Sequence, residues 1–532
     1  MNILQKRTAF IVMAAFLLAF LLAFVFSIVS LSHYKGEEHL FSIQESHQLK
    51  KITNGISAPD NNSRDHRLPS GNGSASSSNS GEHVTPFHNL SMDNGAGGQG
   101  ANKDYETPLA LYTVGFFIAA AFVYGLLKKK KWHHSIGHSR VILWSLLGTG
   151  LFIRIALIPW VGSHMDASLF KNWASVAANH FSNFYAKSGS DYPPFYIYIL
   201  FIVGKVGSLP DFQQYFSLLI KIPPILADVV TSYLLYRLAR KYLAPSFAYL
   251  LAIGYLFNPA ILVNSTFWGQ VDSFFTLLIV LAIVMITEKR IYASAVIFTA
   301  AVLMKPQAII ILPILFFELI RLKQVKHFFG IALTAAFTAA VILLPFSAGK
   351  SPTWIIDLFS STIGEYPYAS VNAYNFFSLI GANYKDSSAT MLFFSYHTWG
   401  LIFIVATTVF SWLIYIKGRS FKYAALAALI QISGVFTFSS SMHERYLFPA
   451  AALALLAYIY LKDKNLLYLS LGFSISIFMN TFFVLYGDSN MQNSTSYPFS
   501  MFATSMLNVL LVVYLVKVAW NLVQKSTILK TA

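Results

Sequence analysis

A carboxylate, Asp166, begins a polar segment that directly follows an apolar run of helix length. The segment HMDASLFKNW at 164–173 continues with apolar residues at helical spacing, which predicts an amphipathic helix on a membrane surface. A carboxylate placed there, beside a groove that excludes water, is suited to accept a proton from an attacking hydroxyl. The alternative role is an N-cap of that helix, because aspartate is a preferred capping residue.

Two further motifs combine aromatic rings with carboxylates, as carbohydrate sites do. In DYPPFY, Asp191 and Tyr192 precede two prolines that hold the chain extended, so the motif could wall a sugar site. In FWGQVDS, Trp268, Gln270 and Asp272 offer a flat ring, an amide and a carboxylate at a helix entrance. The alternatives are an interfacial aromatic belt for the first motif and a helix cap at Asp272 for the second.

Two cations, Lys305 in KPQ and Arg445 in MHERY, lie at the ends of apolar runs on the side where other basic residues are scarce. A cation at that membrane level is expected to have a nearby anionic partner or a functional role. A phosphate carried on a lipid supplies one, since arginine binds phosphate bidentately and lysine binds it as a point charge. The alternative is an internal ion pair, such as Arg445 with Asp272 or Lys305 with Glu444.

The remaining candidates lie beside these motifs. His443 precedes Arg445 by two residues and is grouped with the phosphate-binding residues, whereas Glu444 and Asn375 are grouped with the sugar- or acceptor-binding residues. No metal ligand and no certain cofactor is assigned, although a divalent metal stays open. The side chains that such a metal would use are His164, Asp166, Asp272 and His443, which lack any spacing such as HExxH.

The elements that must position these motifs are membrane-spanning helices. Of the 532 residues, 56% are hydrophobic and 11% are charged, and apolar runs of about 20 residues recur along the chain. The formal charge of +16 does not indicate nucleic-acid binding, because the basic residues cluster at the ends of apolar runs. The chain has no cysteine, which excludes disulfides and thiolate metal sites. It also lacks a Walker A loop and a Rossmann fingerprint, which argues against nucleotide substrates.

Basic residues next to membrane spans are usually cytoplasmic. If the basic clusters of this chain are cytoplasmic, the sequence predicts about 14 helices with both termini in the cytoplasm. The stretch 193–222 does not fit as a single span and is either a helical hairpin or a re-entrant segment. We predict five segments: an anchor helix at 1–31, an external disordered loop at 32–106, a helix and basic cytoplasmic loop at 107–140, a helical core at 141–485, and an external loop, last helix and cytoplasmic tail at 486–532. The five motifs named above and a sixth, EYPYASVNAYNFFS at 365–378, then all lie outside, which predicts one external cavity.

The order of the motifs resembles a known family. Asp166, DYPPFY, NPAILVNSTFWGQVDSFFTL, KPQ, SVNAYNFFSLIG and HERYLFP follow one another as in bacterial mannosyltransferases related to the second mannosyltransferase of the GPI-anchor pathway, members of the GT-C superfamily. The resemblance runs from Val141 to Leu485 and implies a GT-C-like catalytic bundle. It also implies that Asp166 is the catalytic acidic residue, although many members have two adjacent acidic residues where this sequence has one.

The resemblance therefore implies a plasma-membrane glycosyltransferase. It would move a hexose, with mannose expected, from a polyprenyl-phosphate donor to a cell-envelope glycan, lipid or protein acceptor with inversion. The alternative is a flippase for lipid-linked sugars or another transporter. Transporters usually bury charges at mid-membrane and show internal repeats, and neither feature is evident in the sequence.

Overall fold

The structure is a computed structural model and describes residues 3–34, 102–129, 139–162, 165–487 and 497–531. Most of the loop predicted at 32–106 lies outside the described residues, and so does His164. Within the described ranges the protein consists of helices, loops and one two-stranded hairpin. The predicted all-α class is confirmed.

The helices follow one another along the whole described chain. The α-helices are α1 Ile3–Ser32, α2 Glu106–Lys129, α3 Arg140–Val161, α4 Met165–Asn179, α5 Phe184–Ser188, α6 Pro194–Gly207, α7 Phe216–Tyr242, α8 Pro245–Leu256, α9 Pro259–Leu262, α10 Asp272–Thr287, α11 Ile291–Val302, α12 Pro313–Leu322, α13 Val325–Leu343, α14 Trp354–Gly364, α15 Phe376–Leu379, α16 Tyr396–Gly418, α17 Ala424–Phe438, α18 Pro449–Leu461, α19 Asn465–Tyr486 and α20 Phe499–Thr531. Short 3-10 helices are Lys103–Tyr105, Pro210–Tyr215, Pro306–Ile310, Leu344–Phe346 and Phe421–Tyr423, and Val263–Trp268 is a π-helical turn. The strands β1 Thr390–Met391 and β2 Phe394–Ser395 pair antiparallel.

Nine helices of the described residues are long and apolar enough to cross a membrane. A tenth span is formed if α8 and the following segment Pro259–Trp268, which is bent by 42° from it, count together. Four shorter apolar helices, α6, α10, α11 and α18, fall below the length of a full span. The chain is therefore a polytopic membrane protein, and the figure of about 14 spans stays a prediction.

The stretch 193–222 forms parts of two helices. Helix α6 ends at Gly207, and the 3-10 turn Pro210–Tyr215 leads directly into α7, which continues to Tyr242. The two helices pack against each other, so the stretch contains the first arm, the turn and the start of the second arm of a helical hairpin. Helix α7 begins before Pro223 and Pro224 and holds both prolines in its interior.

Helix α4, which carries Asp166, packs closely along α6. A Cβ atom on Gly204 would lie 2.0 Å from the carbonyl oxygen of Ala174. Only glycine permits the two backbones to approach so closely. Phe170 and Trp173 of α4 are buried, whereas Leu169 is exposed, as expected for the predicted amphipathic helix.

Among the longer helices, α17 and α18 are the most buried. Nearly every residue of both is buried, whereas α1, α2 and α13 expose apolar side chains over most of their surface. An apolar exposed surface on a long helix is compatible with lipid. The loop between Phe438 and Pro449, which contains the HERY motif, connects these two buried helices.

Candidate functional site

A cavity of about 680 Å³ collects residues from most of the polar motifs. Its wall is built by the start of α4, the segment before α6, the loop after α11, the end of α14 and the loop after α17. The predicted site residues on this wall are Asp166, Asp191, Tyr192, Gln270, Lys305, His443 and Arg445. Chain segments almost 280 residues apart in sequence therefore meet at one place.

Asp166 lies in the first turn of α4 and accepts several hydrogen bonds through Oδ2. Nε1 of Trp268 donates to it at 2.8 Å, and Nε2 of Gln270 donates to the same oxygen. Nη1 of Arg445 lies 3.4 Å from that oxygen. The Asp166 side chain is 31% exposed, the most open of the carboxylates that pair with a cation at this site. The WGQ segment thus orients this carboxylate at the cavity.

Lys305 forms a buried ion pair with Asp272. The ammonium nitrogen lies 2.5 Å from Oδ1 of Asp272, and Nδ2 of Asn264 donates to the other carboxylate oxygen at 3.0 Å. The lysine backbone is extended between α11 and the 3-10 turn Pro306–Ile310. Its ammonium also lies 5.8 Å from the centre of the Tyr192 ring, so the cation is held between a carboxylate and an aromatic face.

Arg445 pairs with two carboxylates. Its Nε lies 3.0 Å from Oε1 of Glu444, an ion-pair contact without hydrogen-bond alignment, and its Nη1 contacts Asp166. The guanidinium also lies 5.1 Å from the centre of the Trp268 ring. Internal ion pairs are present, but the pairs suggested from the sequence are wrong. Arg445 takes Glu444 and Asp166 instead of Asp272, which is paired with Lys305.

Two acidic side chains, Asp191 and Glu365, line another part of the cavity. Burial raises the pKa of the Asp191 carboxyl above its ordinary value. Burial and the nearby charge of Asp191 also raise the pKa of Glu365. Both carboxyls therefore hold protons more strongly than in water, and their oxygens can accept hydrogen bonds from hydroxyl groups.

His443 lies in the cavity wall with its ring edge against Tyr366, 4.5 Å between ring centres. Burial and the charge on Arg445 lower the pKa of His443 to about 3. The imidazole is therefore neutral at physiological pH. A neutral imidazole can hydrogen-bond to a phosphate, but it adds no positive charge to the predicted phosphate-binding group.

Four of the predicted sugar- or acceptor-binding residues lie behind the cavity wall. Trp268, Asp272 and Glu444 support Asp166, Lys305 and Arg445 as described above, and none of the three lines the cavity. Asn375 is buried, caps α15 through the backbone N–H of Ser378 and donates to the carbonyl oxygens of Phe436 and Ser439. The contacts of Asn375 thus fix the backbone of neighbouring segments.

Among the described residues, no cluster of three or more histidine, aspartate and glutamate side chains is placed to hold a metal ion. Asp166 and Asp272 are each turned towards a cation, Arg445 and Lys305 respectively. A carboxylate engaged in this way is not preorganised for a metal. His164, the fourth side chain considered from the sequence, lies outside the described residues.

The sequence analysis missed Glu365 and a buried lysine, Lys221. Glu365 opens the segment 365–378, which the sequence had singled out, but no spacing distinguished this carboxylate from an ordinary loop residue. Lys221 is 1% exposed and lies within an apolar helix that is long enough to span a membrane. A charged residue inside such a helix is a signal for a functional role.

Comparison with known proteins identifies a related family for part of the chain. Residues 143–321 match the family model described as "Alpha-(1->6)-mannopyranosyltransferase, N-terminal domain", which is about a third of the chain. The match includes Asp166, Trp268 and Lys305, and the HERY motif lies beyond it. No curated protein matches the chain. The family match confirms the resemblance to bacterial membrane mannosyltransferases and supports glycosyltransferase activity.

Proposed function

We propose, from the mannosyltransferase match, that this protein is a GT-C-type glycosyltransferase of the plasma membrane. It transfers mannose from a polyprenyl-phosphate donor to an extracytoplasmic acceptor and inverts the anomeric carbon. One observation carries this proposal: the Asp166 carboxylate faces a cavity whose wall also holds the cation Arg445, 3.4 Å away. A base and a phosphate-binding cation at one cavity are the two groups that such a transfer requires.

The cavity suits a sugar attached to a lipid. Its volume of about 680 Å³ falls within the usual range of about 300–1,000 Å³ for small-molecule sites. Trp173, Tyr192 and Tyr366 supply aromatic surface of the kind that packs against a pyranose ring. Leu401 and Ile404 add apolar wall from α16, one of the helices long enough to span the membrane, which favours a donor with an apolar chain.

Arg445 is the side chain that we assign to the donor phosphate. A guanidinium has five N–H donors, and among the described residues its carboxylate contacts are made by Nη1 and Nε alone, so donors remain for a ligand. Its contact with Asp166 at 3.4 Å is longer than the roughly 2.7–2.9 Å of a strong charge-assisted hydrogen bond. A phosphate can therefore replace Asp166 at Arg445, which leaves that carboxylate available to the acceptor.

Inversion requires the acceptor oxygen and the leaving phosphate to lie on opposite faces of the anomeric carbon. In the proposed step, Asp166 takes the proton of the acceptor hydroxyl while its oxygen forms the new bond to the anomeric carbon. The bond from that carbon to the phosphate oxygen breaks, and the electron pair leaves with the lipid phosphate. Arg445 and Lys305 stabilise the charge on the leaving group, the kind of electrostatic contribution that is usually largest.

Trp268 and Gln270 act through Asp166 in this mechanism. Both donate to Oδ2, so they hold the carboxylate in one orientation towards the acceptor. Asp272 does the same for Lys305 through the 2.5 Å ion pair. The WGQVD segment therefore positions both the base and one cation.

The test is transfer by the purified full-length protein in proteoliposomes. We expect labelled mannose to move from a short-chain polyprenyl-phosphate mannose to a mannoside acceptor, with no transfer from a nucleotide-linked mannose. NMR of the product should show the anomeric configuration opposite to that of the donor. Retention of configuration would contradict the proposed step, and movement of the intact lipid-linked sugar across the bilayer without transfer would establish the transporter instead.

A further inference from the structure

Lys221 lies in α7 with its side chain almost fully buried. Its ammonium group donates to three backbone carbonyl oxygens, those of Gly162 at 3.0 Å, Thr266 at 3.0 Å and Phe267 at 3.2 Å. These carbonyls belong to two separate segments of the chain. A single buried cation thus joins them through directed hydrogen bonds.

The two segments are those that carry the groups around Asp166. Gly162 follows the last residue of α3 and precedes Asp166 by four positions. Thr266 and Phe267 belong to the π-helical turn that ends at Trp268. Trp268, at the end of this turn, and Gln270, two residues after it, donate from their side chains to Asp166. Lys221 therefore ties the backbones on both sides of these hydrogen bonds.

The backbone at Gly269 lies directly against the Lys221 side chain. Gly269 has a φ of +80°, and a Cβ atom there would lie 3.2 Å from Cγ and Cε of Lys221. The next residue, Gln270, donates its backbone N–H to the carbonyl oxygen of Asn264 at 2.9 Å and closes the turn. A glycine in the left-handed region thus lets the lysine chain pass directly under the WGQ segment.

We propose that Lys221 is a positioning residue of the transfer site. Its ammonium sets the distance between the Gly162 segment and the Thr266–Trp268 turn, so that Trp268 and Gln270 meet the Asp166 carboxylate. An apolar side chain of similar size could fill the same volume but could not bind three carbonyl oxygens. The role of Lys221 in holding the two segments together does not depend on the proposed function. The expected effect of its loss on the transfer rate does rest on the proposed function.

The first experiment measures backbone hydrogen exchange in the purified protein. Lys221→Met should accelerate exchange on the order of tenfold in peptides covering 263–270 and in the peptide that contains Gly162, with the remaining helices unchanged. Lys205→Met is the matched control, because Lys205 is an exposed lysine of α6 away from the cavity. Unchanged exchange in both segments, or faster exchange throughout the chain, would overturn the proposal.

The second experiment measures mannose transfer at matched protein levels. A displacement of about 1 Å near reacting groups can lower the rate about 100-fold, so Lys221→Met should lower kcat by about 10- to 100-fold with little change in the KM for the donor. Lys221→Arg, which keeps the charge and several donors, should recover part of both the rate and the exchange protection. It also serves as the test variant if Lys221→Met does not reach the membrane.

The two experiments separate this inference from the proposed function. Local exchange changes in Lys221→Met, together with a wild-type protein that transfers no mannose, would reject the function and keep the structural role. A wild-type protein that transfers mannose, with kcat unchanged in Lys221→Met, would reject Lys221 as a positioning residue.

Discussion

Replacing Asp166 by asparagine separates its proposed role as a base from a purely structural role. Asparagine keeps the size of the side chain and an oxygen that can accept from Trp268 and Gln270, but it cannot take the acceptor proton. Loss of a general base lowers a rate by about 10²- to 10⁴-fold. This factor corresponds to about 2.7–5.4 kcal/mol of transition-state stabilisation, since each tenfold is about 1.36 kcal/mol.

The structural effect of the same substitution is smaller. A carboxylate in the first turn of a helix contributes about 0.3–1 kcal/mol to helix stability. Arg445 retains Glu444 at 3.0 Å, so Asp166→Asn does not leave a buried cation without a carboxylate. We therefore expect near-normal membrane levels and thermal stability together with a large loss of transfer.

The assay is transfer of labelled mannose from polyprenyl-phosphate mannose in proteoliposomes at matched protein amounts. Retention of labelled donor by the same proteoliposomes should persist in Asp166→Asn. Asp211→Asn is the control. Asp211 also lies in the first turn of a helix, the 3-10 helix Pro210–Tyr215, but it is exposed and away from the cavity. An Asp166→Asn protein that keeps more than about a tenth of wild-type transfer would refute the role of Asp166 as a base.

Three further predictions follow from the same site and from the proposed topology. Arg445→Lys keeps the charge but loses the planar fork of donors, so the KM for the donor should rise severalfold, and an unchanged KM would favour a purely structural ion pair. His443 has its pKa lowered to about 3 from the ordinary 6.5, so folding stability should fall as pH drops below 6.5. Thermal unfolding at pH 7.5 and 5 should show a loss of about 2 kcal/mol that His443→Gln removes. In this cysteine-free chain, Ser388→Cys should react with an impermeant maleimide on intact cells and Lys326→Cys only after permeabilisation, and the reverse pattern would contradict an external site.

The helices were largely predictable from the sequence. A helix satisfies its backbone polar groups internally, and the membrane demands a long apolar run for each span, so local sequence is enough to indicate most of these elements. The local sequence did not determine the structure of the stretch 193–222. The turn at its centre depends on how α6 packs against α7, and α7 continues through two prolines, a residue type that ordinarily interrupts a helix.

The candidate residues were also recognisable by type, because polar side chains are rare in such a sequence. Asp166, Gln270, Lys305 and Arg445 were all singled out before their positions were known, and the structure brings them to one cavity. Asn375 shows the limit of this reasoning. A polar residue in a candidate motif can bind ligand or cap a neighbouring helix, and only its contacts distinguish the two.

Tertiary structure alone decided which charges pair. Asp166 and Arg445 are 279 residues apart, and Asp272 and Lys305 are 33 residues apart, so no local periodicity relates them. The pairing depends on distances across the assembled bundle, where electrostatic and hydrogen-bond energies change over a few ångströms. For the same reason, the sequence shows Lys221 only as one lysine in an apolar helix and does not indicate its partners. Lys221 reaches its three carbonyl partners because α7 packs beneath the segments that hold Asp166 and Trp268.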